Sequence, residues 1–434
     1  MEHPPTTPGH VQQPPTPDLG PVRQRERIAS LDVLRGVAVL GILVMNIQSF
    51  AMPDAAYMNP HAYGDLTGAN HWVWFLGHLL ADQKFMGIFS MLFGAGIVLL
   101  CDRVEVQGGR SAPVYYRRMG WLILFGLLHA HLLWFGDILY SYGMCGLVAY
   151  LFRRMRPGRL LLLGALSITM GLGFSLAFGF SMPYWDPHGQ QMMEAWNPQP
   201  EMVEQQLEAY RGSWLDQMSQ RVPMALFLQF GLFAIAIGPK AGGMMLLGMG
   251  LFKLGIFSAR RSIPFYIGLL LTCGIIGLGT TYFGTIENDR HEWNVKYSFF
   301  LGSQFNYMGS ILTSVAWVAL VMLWCKAPGF GVLRRSFAAV GQMAFTNYIM
   351  QTVICTTIFY GHGLGYYGSV ERVGQILVVT GVWAFQIVAS PIWLRYYRYG
   401  PLEWLWRSLT YWKLQPVRRE QLPDAWLGPV PEGG

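Results

Sequence analysis

Charged residues are scarce in this sequence. Asp, Glu, Lys and Arg make up 13% of the 434 residues, whereas 53% are hydrophobic; the charged share is about half of that usual in globular proteins. A soluble fold can bury a large core, but it does not need apolar runs of about 20 residues recurring along most of the chain. The composition therefore excludes the soluble class, and we interpret the chain as a membrane protein.

Cysteine is also rare, and the few cysteines have no paired spacing. They lie in or beside apolar segments, which argues against disulfides and against structural zinc. We expect them to pack as small apolar side chains between helices, and we predict no metal site. The five cysteines are Cys101, Cys145, Cys273, Cys325 and Cys355.

The first 29 residues lack both an apolar run and a small-residue cleavage site, and they are rich in Pro and polar residues. This composition predicts a disordered cytoplasmic tail over residues 1–29. The apolar run that follows is too long for the hydrophobic part of a signal peptide, so we expect it to be retained as the first span.

Long apolar runs recur along the rest of the chain and predict an all-α, polytopic membrane helix bundle of about ten transmembrane helices. In the sixth run Gly, Pro and Lys240 interrupt the apolar residues, so this run is either one kinked helix or two short segments. The predicted spans are residues 30–51, 72–101, 118–135, 138–152, 160–182, 224–252, 263–284, 299–325, 336–360 and 373–394.

The distribution of Lys and Arg predicts the orientation of the spans, because basic residues in short loops favour the cytoplasmic side. The loops on one side are basic, whereas residues 52–71 contain no Lys or Arg and residues 183–223 are dominated by Glu and Asp. Ten spans with both termini cytoplasmic fit this alternation. An extra span within the sixth run would break it, which favours one kinked helix there.

We accordingly predict two membrane regions and three flanking segments. Within the extracytoplasmic segment, Leu207, Tyr210, Trp214 and Met218 recur at helical spacing and predict an amphipathic helix, either a plain spacer or a cover over substrate. The predicted units are the tail 1–29, a five-helix membrane region 30–182, an acidic amphipathic extracytoplasmic loop 183–223, a second five-helix membrane region 224–394, and a basic, aromatic cytoplasmic tail 395–434.

The net charge of +7 fits a protein whose basic residues lie beside anionic membrane lipids. We therefore expect membrane lipids as partners and no nucleic acid. The aromatic and basic tail after residue 395 is typical of a segment at the inner membrane interface.

Polar groups inside the spans carry the functional information, since an unpaired charge in hydrocarbon costs about 2.5–3.5 kcal/mol. In the first span Asp32 and Arg35 lie three residues apart, and Asn46 follows eleven residues later on the same helix side. In the second span His71, His78 and Asp82 share a face, and Lys84 projects elsewhere. Their spacing makes a metal site a poor interpretation beside ordinary hydrogen bonding.

Other spans add further polar residues. Taken singly, each Asn, Gln or Tyr is best interpreted as a hydrogen-bonding contact between helices. Their number on so few spans favours a polar cavity. The candidates for lining it are His129, Asn306, Asn347 and Gln351, together with Asp32, Arg35, Asn46 and Lys84.

Several stretches carry a family resemblance. "RIASLDVLRGVAVLGILVMN", "KFMGIFSMLFGAGI" and "GLLHAHLLWFGDILYSYG" closely resemble the YeiB family of bacterial multi-pass inner-membrane proteins. "GQMAFTNYIMQTVICTTIFYGHGLGYYG" and "PIWLRYYRYGPLEWLWRSLTYWK" resemble that family's C-terminal domain of unknown function. The resemblance implies location in the bacterial inner membrane.

"LDVLRG" followed by a span ending in Asn is also remotely similar to heparan glucosaminide N-acetyltransferase and other transmembrane acyltransferases. This similarity implies transfer of an acyl group from cytoplasmic acyl-CoA to a sugar hydroxyl or amine outside. It implies a catalytic histidine for which His71 is the nearest match and His78 a competitor, with Asp82 near a matching Asp. A neutral His is suited to take the proton of the attacking group near pH 7.

Two functional hypotheses stay open from the sequence. The first is an acyltransferase acting on an envelope glycan or a lipid-linked sugar, with acyl-CoA as co-substrate. The second is a transporter or flippase whose polar residues line a substrate path, with Lys84 and the broken sixth run in its favour. We interpret Asp32 and Arg35 first as a structural ion pair and second as a contact for the phosphates of CoA. A homo-oligomer fits either functional hypothesis.

Overall fold

The computed structural model describes residues 28–185 and 193–419, apart from the side chain of residue 183. Within these residues the regular structure is helical, with a single isolated bridge between Tyr397 and Arg418. The predicted disordered tail lies outside the described residues except for its last two positions. Residues 186–192 of the acidic loop and 420–434 of the C-terminal tail also lie outside them.

The helices of the bundle follow one another with short connections; a 3₁₀ turn at Met182–Tyr184 and a helical turn at residues 193–196 are left unnumbered. They are α1 (Ala29–Ala51), α2 (Ala55–Met58), α3 (Gly68–Leu80), α4 (Lys84–Val106), α5 (Ser111–Leu132), α6 (Leu139–Phe152, whose last turn is 3₁₀), α7 (Pro157–Ser181), α8 (Pro200–Arg211), α9 (Met218–Lys253), α10 (Ile263–Arg290), α11 (Val295–Lys326), α12 (Gly331–Gln342), α13 (Ala344–Phe359), α14 (Arg372–Tyr396) and α15 (Pro401–Tyr411).

Seven helical units of the described chain are long and apolar enough to cross a membrane: α1, α3 with α4, α7, α9, α10, α11 and α14. This confirms the all-α membrane helix bundle, and the chain is a multi-pass membrane protein. The other predicted spans correspond to α5, α6 and α13, which are shorter or less apolar. The count of ten spans and the cytoplasmic termini stay predictions.

Three predicted helices have different limits in the structure. The second predicted span, 72–101, is interrupted between Leu80 and Lys84, and the ninth, 336–360, is divided at Met343. The amphipathic helix of the acidic loop ends at Arg211, before Gly212, so Trp214 and Met218 do not continue it. Hydropathy averaged over a long run hides such breaks, because the flanking residues stay apolar.

The sixth run forms one helical unit, α9, rather than two segments. Its middle, Phe227–Ile237, is a π-helix, and the α-helical turns resume at Gly238, with Pro239 in their first turn. Pro239 has no backbone N–H to donate to a carbonyl of the preceding π-helical turn, yet the helical geometry continues through it. The sequence predicted the irregularity at residues 238–240, whereas the structure has it in the preceding turns, as the π-helix Phe227–Ile237.

α1 and α4 lie at the centre of the bundle, and α10 lies at its edge. In the most apolar window of α1 72% of the residues are buried, against 11% in α10. α1 packs tightly on α12: a Cβ atom added to Gly36 would lie 2.0 Å from the carbonyl oxygen of Phe337, and one added to Gly341 would lie 1.9 Å from that of Asp32. Small residues permit this close approach of two backbones.

Candidate functional site

The break between α3 and α4 is held by side chains rather than left open. Gln83 adopts a left-handed conformation with φ of 63°, which ends the run of α-helical geometry. The fully buried ammonium group of Lys84 donates to the carbonyl oxygen of His78 at 2.7 Å, and Trp317 Nε1 donates to that of Leu80 at 3.0 Å. Interrupted helices are tolerated within a membrane where such groups satisfy the freed backbone.

Asp82 lies in this break and is the centre of a hydrogen-bond network. Its Oδ1 accepts from the hydroxyl of Tyr57 at 2.9 Å, and its Oδ2 accepts from Asn306 Nδ2 at 2.7 Å. His78 Nδ1 lies 3.3 Å from the same Oδ2. Lys84 Nζ donates in turn to Asn306 Oδ1 at 2.5 Å. The short helix α2, the broken helix and α11 therefore converge on one carboxylate.

His78 lies at the edge of this network, beside Asp82. Its imidazole stacks on the indole of Trp74, with ring centroids 5.6 Å apart and planes 12° apart. The side chain is 19% exposed, so it is accessible from one side. A carboxylate beside one ring nitrogen fixes the orientation and tautomer of a histidine. This arrangement suits general acid–base chemistry.

A small pocket opens beside His78 and Asp82. Its volume is about 50 Å³, room for a few water molecules at roughly 10–15 Å³ each. α1 contributes Val44, Met45, Ile47 and Gln48 to its wall, and Asn46 between them is not part of the lining. The remaining walls include Tyr57 from α2, Trp74 from α3 and Arg372 from α14. The pocket is therefore mixed in polarity, with ionisable side chains contributed by Tyr57, His78, Asp82 and Arg372.

A second buried lysine, Lys240, reaches the break from α9. Its ammonium group donates to Gln83 Oε1, to Ser310 Oγ at 2.9 Å and to the carbonyl oxygen of Tyr307 at 3.2 Å. It also lies 4.3 Å from the ring centroid of Tyr307. Two buried lysines, Lys84 and Lys240, thus contact the break.

His71 lies apart from this network. Its ring stacks on Phe75 at 6.0 Å and lies 6.1 Å from the ring of Trp74. The described contacts place His78, and not His71, beside Asp82. The spacing of four residues between His78 and Asp82, a favourable distance on a helix, was the better signal.

His129 belongs to a separate, enclosed pair. Its Nδ1 lies 2.9 Å from Asp137 Oδ1 and its Nε2 lies 3.0 Å from Thr352 Oγ1. Asp137 also accepts from the backbone N–H of Tyr140 at 2.7 Å. The His129 and Asp137 side chains are 2% and 1% exposed, so the pair joins α5, α6 and α13 without access to a substrate.

Asn347 and Gln351 form a third network, between α13 and its neighbours. Gln351 Nε2 donates to Gln386 Oε1 at 3.0 Å and to the carbonyl oxygen of Val39 at 3.1 Å, and Asn347 Nδ2 donates to Ser390 Oγ at 3.1 Å. At the start of α1, Arg35 Nη1 donates to Asp32 Oδ1 at 2.9 Å. Asn347 and Gln351 therefore join helices, and the Asp32–Arg35 bond lies within α1. None of these four residues lines the pocket at Asp82.

Tyr57, Gln83 and Lys240 were not identified from the sequence as residues of this site. Burial and the carboxylate of Asp82 raise the pKa of Tyr57 well above its usual 10, so the hydroxyl keeps its proton and remains a donor. Lys240 carried a usable signal, because a lysine within an apolar run needs a partner. Tyr57 and Gln83 carried none, since ordinary loop and break positions contain such residues.

Comparison with known proteins defines the family. The family described as "Protein of unknown function (DUF418)" matches residues 251–413. "Uncharacterized protein YxaH" of Bacillus subtilis (strain 168) is 33% identical over 428 residues, which cover 93% of this chain and 98% of that protein. "Uncharacterized protein YeiB" of Escherichia coli (strain K12) is 33% identical over 397 residues, 89% of this chain and 96% of the relative.

The chain belongs to the YeiB-like family. The family resemblance inferred from the sequence motifs is thereby confirmed. Within this YeiB-like chain the matched domain of unknown function supplies Asn306 and Arg372, whereas Tyr57, His78 and Asp82 precede it. The pocket and its network are therefore assembled from both halves of the YeiB-like fold.

Proposed function

We propose that the protein is an acyl-CoA-dependent acyltransferase of the bacterial inner membrane, with an envelope glycan or a lipid-linked sugar as acceptor. The observation that carries the proposal is the His78–Asp82 pair, which lines a pocket and in which Asp82 is fixed by Tyr57 and Asn306. A histidine oriented by a carboxylate is suited to remove the proton of a hydroxyl or amine during acyl transfer.

In the proposed reaction His78 takes the proton from the acceptor hydroxyl or amine. The freed electron pair of that oxygen or nitrogen attacks the carbonyl carbon of the thioester, and the carbon–sulfur bond breaks. The thiolate of CoA leaves and receives the proton that His78 holds, which returns the imidazole to its neutral form. Asp82 stabilises the imidazolium between these steps, and Lys84 positions Asp82 through Asn306.

The size of the pocket supports a short acyl group. About 50 Å³ accommodates an acetyl group, while the rest of both substrates would lie outside the pocket. We therefore expect acetyl-CoA to be the preferred donor over long-chain acyl-CoA. Membrane lipids surround the apolar helices, and a homo-oligomer is compatible with the exposed apolar surface of α10.

The experiment measures release of the CoA thiol from acetyl-CoA by the purified full chain in lipid nanodiscs, with inner-membrane glycolipid extract as acceptor. Removing a general base lowers turnover by about 10²–10⁴-fold, and we expect such a loss for His78→Gln. His71→Gln is the matched control and should retain turnover. Absence of thiol release and of thermal stabilisation with every acyl-CoA would show that the enzyme proposal is wrong.

A transporter is the second candidate, and the buried lysines support it. Lys84 and Lys240 flank a broken helix inside the bundle, an arrangement found at ion and substrate sites of transporters. The discriminating measurement is solute or lipid movement in reconstituted proteoliposomes without acyl-CoA. Transport that is lost in Lys240→Met, with no thiol release by the unaltered protein, would favour this candidate.

A further inference from the structure

Asp54 precedes α2 directly and is incompletely satisfied. Its Oδ2 accepts from Gln206 Nε2 on α8 at 2.9 Å, whereas its Oδ1 is enclosed and has no hydrogen-bond partner among the described residues. Burial raises the pKa of Asp54 to about 7, with the Gln206 bond acting in the opposite direction. One hydrogen-bond donor does not offset the free-energy cost of removing a carboxylate from water, so the site favours the protonated form of Asp54.

Three tyrosines from two segments lie near this carboxyl group. Tyr210 on α8 stacks on Tyr367 with ring centroids 4.5 Å apart, and it lies 4.8 Å from the ring of Tyr360. The hydroxyl groups of Tyr210 and Tyr360 are also enclosed and have no partner among the described residues. Asp54 lies within electrostatic range of all three phenols. We call Tyr210, Tyr360 and Tyr367 the tyrosine cluster.

α8 is attached to the rest of the protein mainly through this region. Gly361 N donates to the carbonyl oxygen of Tyr210 at 2.8 Å, and Arg211 Nε donates to that of Tyr367 at 2.8 Å. Beyond Tyr210 and Gln206, much of the α8 surface is exposed. The carboxyl group of Asp54 therefore lies beneath a helix that rests on a small contact area.

We propose that α8 is a proton-latched cap, in which protonation of Asp54 holds α8 on the tyrosine cluster and ionisation of Asp54 releases it. Release exposes the carboxylate to water, which removes the desolvation cost. Asp54 directly precedes α2, and Tyr57 on α2 donates a hydrogen bond to Asp82 in the pocket. The short helix α2 therefore links Asp54 to the pocket. The proposal stands independently of whether the pocket is catalytic.

The direction of the pH dependence follows from the two states. In the docked state Asp54 titrates at about 7, and in the released state its pKa returns toward 3.8. Docking then weakens by about tenfold for each pH unit between roughly 4 and 7 and is constant outside this window. The maximal change is on the order of 10³-fold.

The other ionisable groups near the latch do not reproduce this dependence. Burial raises the pKa of all three phenols well above 10. Arg221, which lies within range of Tyr210 and Tyr360, stays charged. His362 packs on Tyr360 and contacts Gln217; burial and Arg221 lower its pKa. The docked state therefore favours neutral His362. Loss of the His362 proton as the pH rises strengthens docking, whereas ionisation of Asp54 weakens it.

Hydrogen exchange of the 200–211 peptide tests the latch in the full chain in nanodiscs, at pH 5, 6, 7 and 8 and corrected for the intrinsic exchange rate. We expect protection to fall at least about tenfold from pH 5 to pH 7 and then to level off. Asp54→Asn should keep high protection at every pH. Asp216→Asn, which changes an exposed carboxylate bonded to Ser213, should keep the pH dependence, and His362→Gln should keep its direction.

The proposal is wrong if the protection of this peptide does not change with pH in the unaltered protein. An unchanged pH dependence in Asp54→Asn also overturns it. Exchange in α10 and α11 reports whether each variant is folded, and the titration of the unaltered protein decides the question even where a variant fails to fold.

Discussion

The hydroxyl of Tyr57 donates to Oδ1 of Asp82 at 2.9 Å, across the boundary between a connecting segment and a broken membrane helix. The two residues are 25 positions apart in the chain. Tyr57 holds one oxygen of the Asp82 carboxylate, while Asn306 and His78 contact the other oxygen. The carboxylate that lines the pocket is therefore held at both oxygens. The connecting segment before α3 is thus part of the site and not only a link between spans.

Replacement of Tyr57 by Phe should destabilise the protein. The Tyr57 side chain is 37% exposed, so water partly replaces the lost donor to Oδ1 of Asp82, and we expect a loss of about 0.5–1.5 kcal/mol, the range of an ordinary hydrogen bond. We expect thermal unfolding in nanodiscs at a lower temperature than for the unaltered protein. Tyr282→Phe, on the exposed face of α10, is the matched control and should unfold at the original temperature. Equal stability of both variants would contradict the assigned bond.

Replacement of Lys84 by Met should have a larger effect. It leaves both Asn306 Oδ1 and the carbonyl oxygen of His78 without a donor, and each unsatisfied buried group costs about 1–3 kcal/mol. We expect a loss of about 3 kcal/mol in the free energy of unfolding, measured by denaturant titration. Lys296→Met, at an exposed position, should change it by less than about 0.5 kcal/mol.

Replacement of Gly36 by Ala should separate α1 from α12. The added methyl group meets the carbonyl oxygen of Phe337, a backbone atom that cannot rotate away. Overpacking of this kind costs about 1–3 kcal/mol. Gly120→Ala on α5, where the added carbon meets no atom within 4 Å, should leave the protein unchanged or slightly more stable. Thermal unfolding of the two variants side by side measures the difference, and equal values would disprove the close contact.

Glu403 on α15 should make the stability depend on pH. Its carboxylate accepts from the backbone N–H groups of Phe345 at 2.7 Å and Thr346 at 3.1 Å, at the start of α13. Burial nevertheless raises the pKa of Glu403, against the lowering effect of these bonds and of the Thr346 hydroxyl. Folding therefore binds a proton, and the contribution of Glu403 to stability is fully present below about pH 4.5 and declines as the pH rises through the raised pKa.

Thermal unfolding between pH 4.5 and 8 measures this contribution of Glu403. Glu403→Gln stays neutral and keeps an acceptor oxygen, so its unfolding temperature should change less with pH than that of the unaltered protein. Glu208→Gln, at an exposed position on α8, should retain the full dependence. A Glu403→Gln profile parallel to the original would show that Glu403 does not bind the proton.

Composition and periodicity were sufficient for the all-α membrane class and for the pairing of His78 with Asp82. The membrane class depends on composition averaged along the chain, and the His78–Asp82 pair depends on a spacing of one helical turn. The contacts of Asp82 with Asn306 and of Lys240 with Gln83 join residues more than 150 positions apart. Such pairings depend on how the helices pack, which no local pattern records.

The breaks were missed for a related reason. Residues 81–83 and Met343 lie within runs whose average hydropathy predicts a continuous helix, and their conformations are fixed by partners elsewhere in the chain. Lys84 holds the first break and Glu403 holds the second. The end of α8, in contrast, could have been predicted locally, because Gly212 after Arg211 is typical of a helix end. The helical spacing of Trp214 and Met218 led us to predict a longer helix.

The π-helical stretches of α9 and α11 have a consequence for insertions and deletions. Phe227–Ile237 precedes Lys240 and Ser298–Gly302 precedes Asn306, so each stretch sets the angular position of a polar side chain that meets the break. Each residue turns an α-helix by about 100°. Loss of one residue from either stretch would rotate Lys240 or Asn306 from the interior toward lipid, so these segments tolerate substitution far better than a change in length.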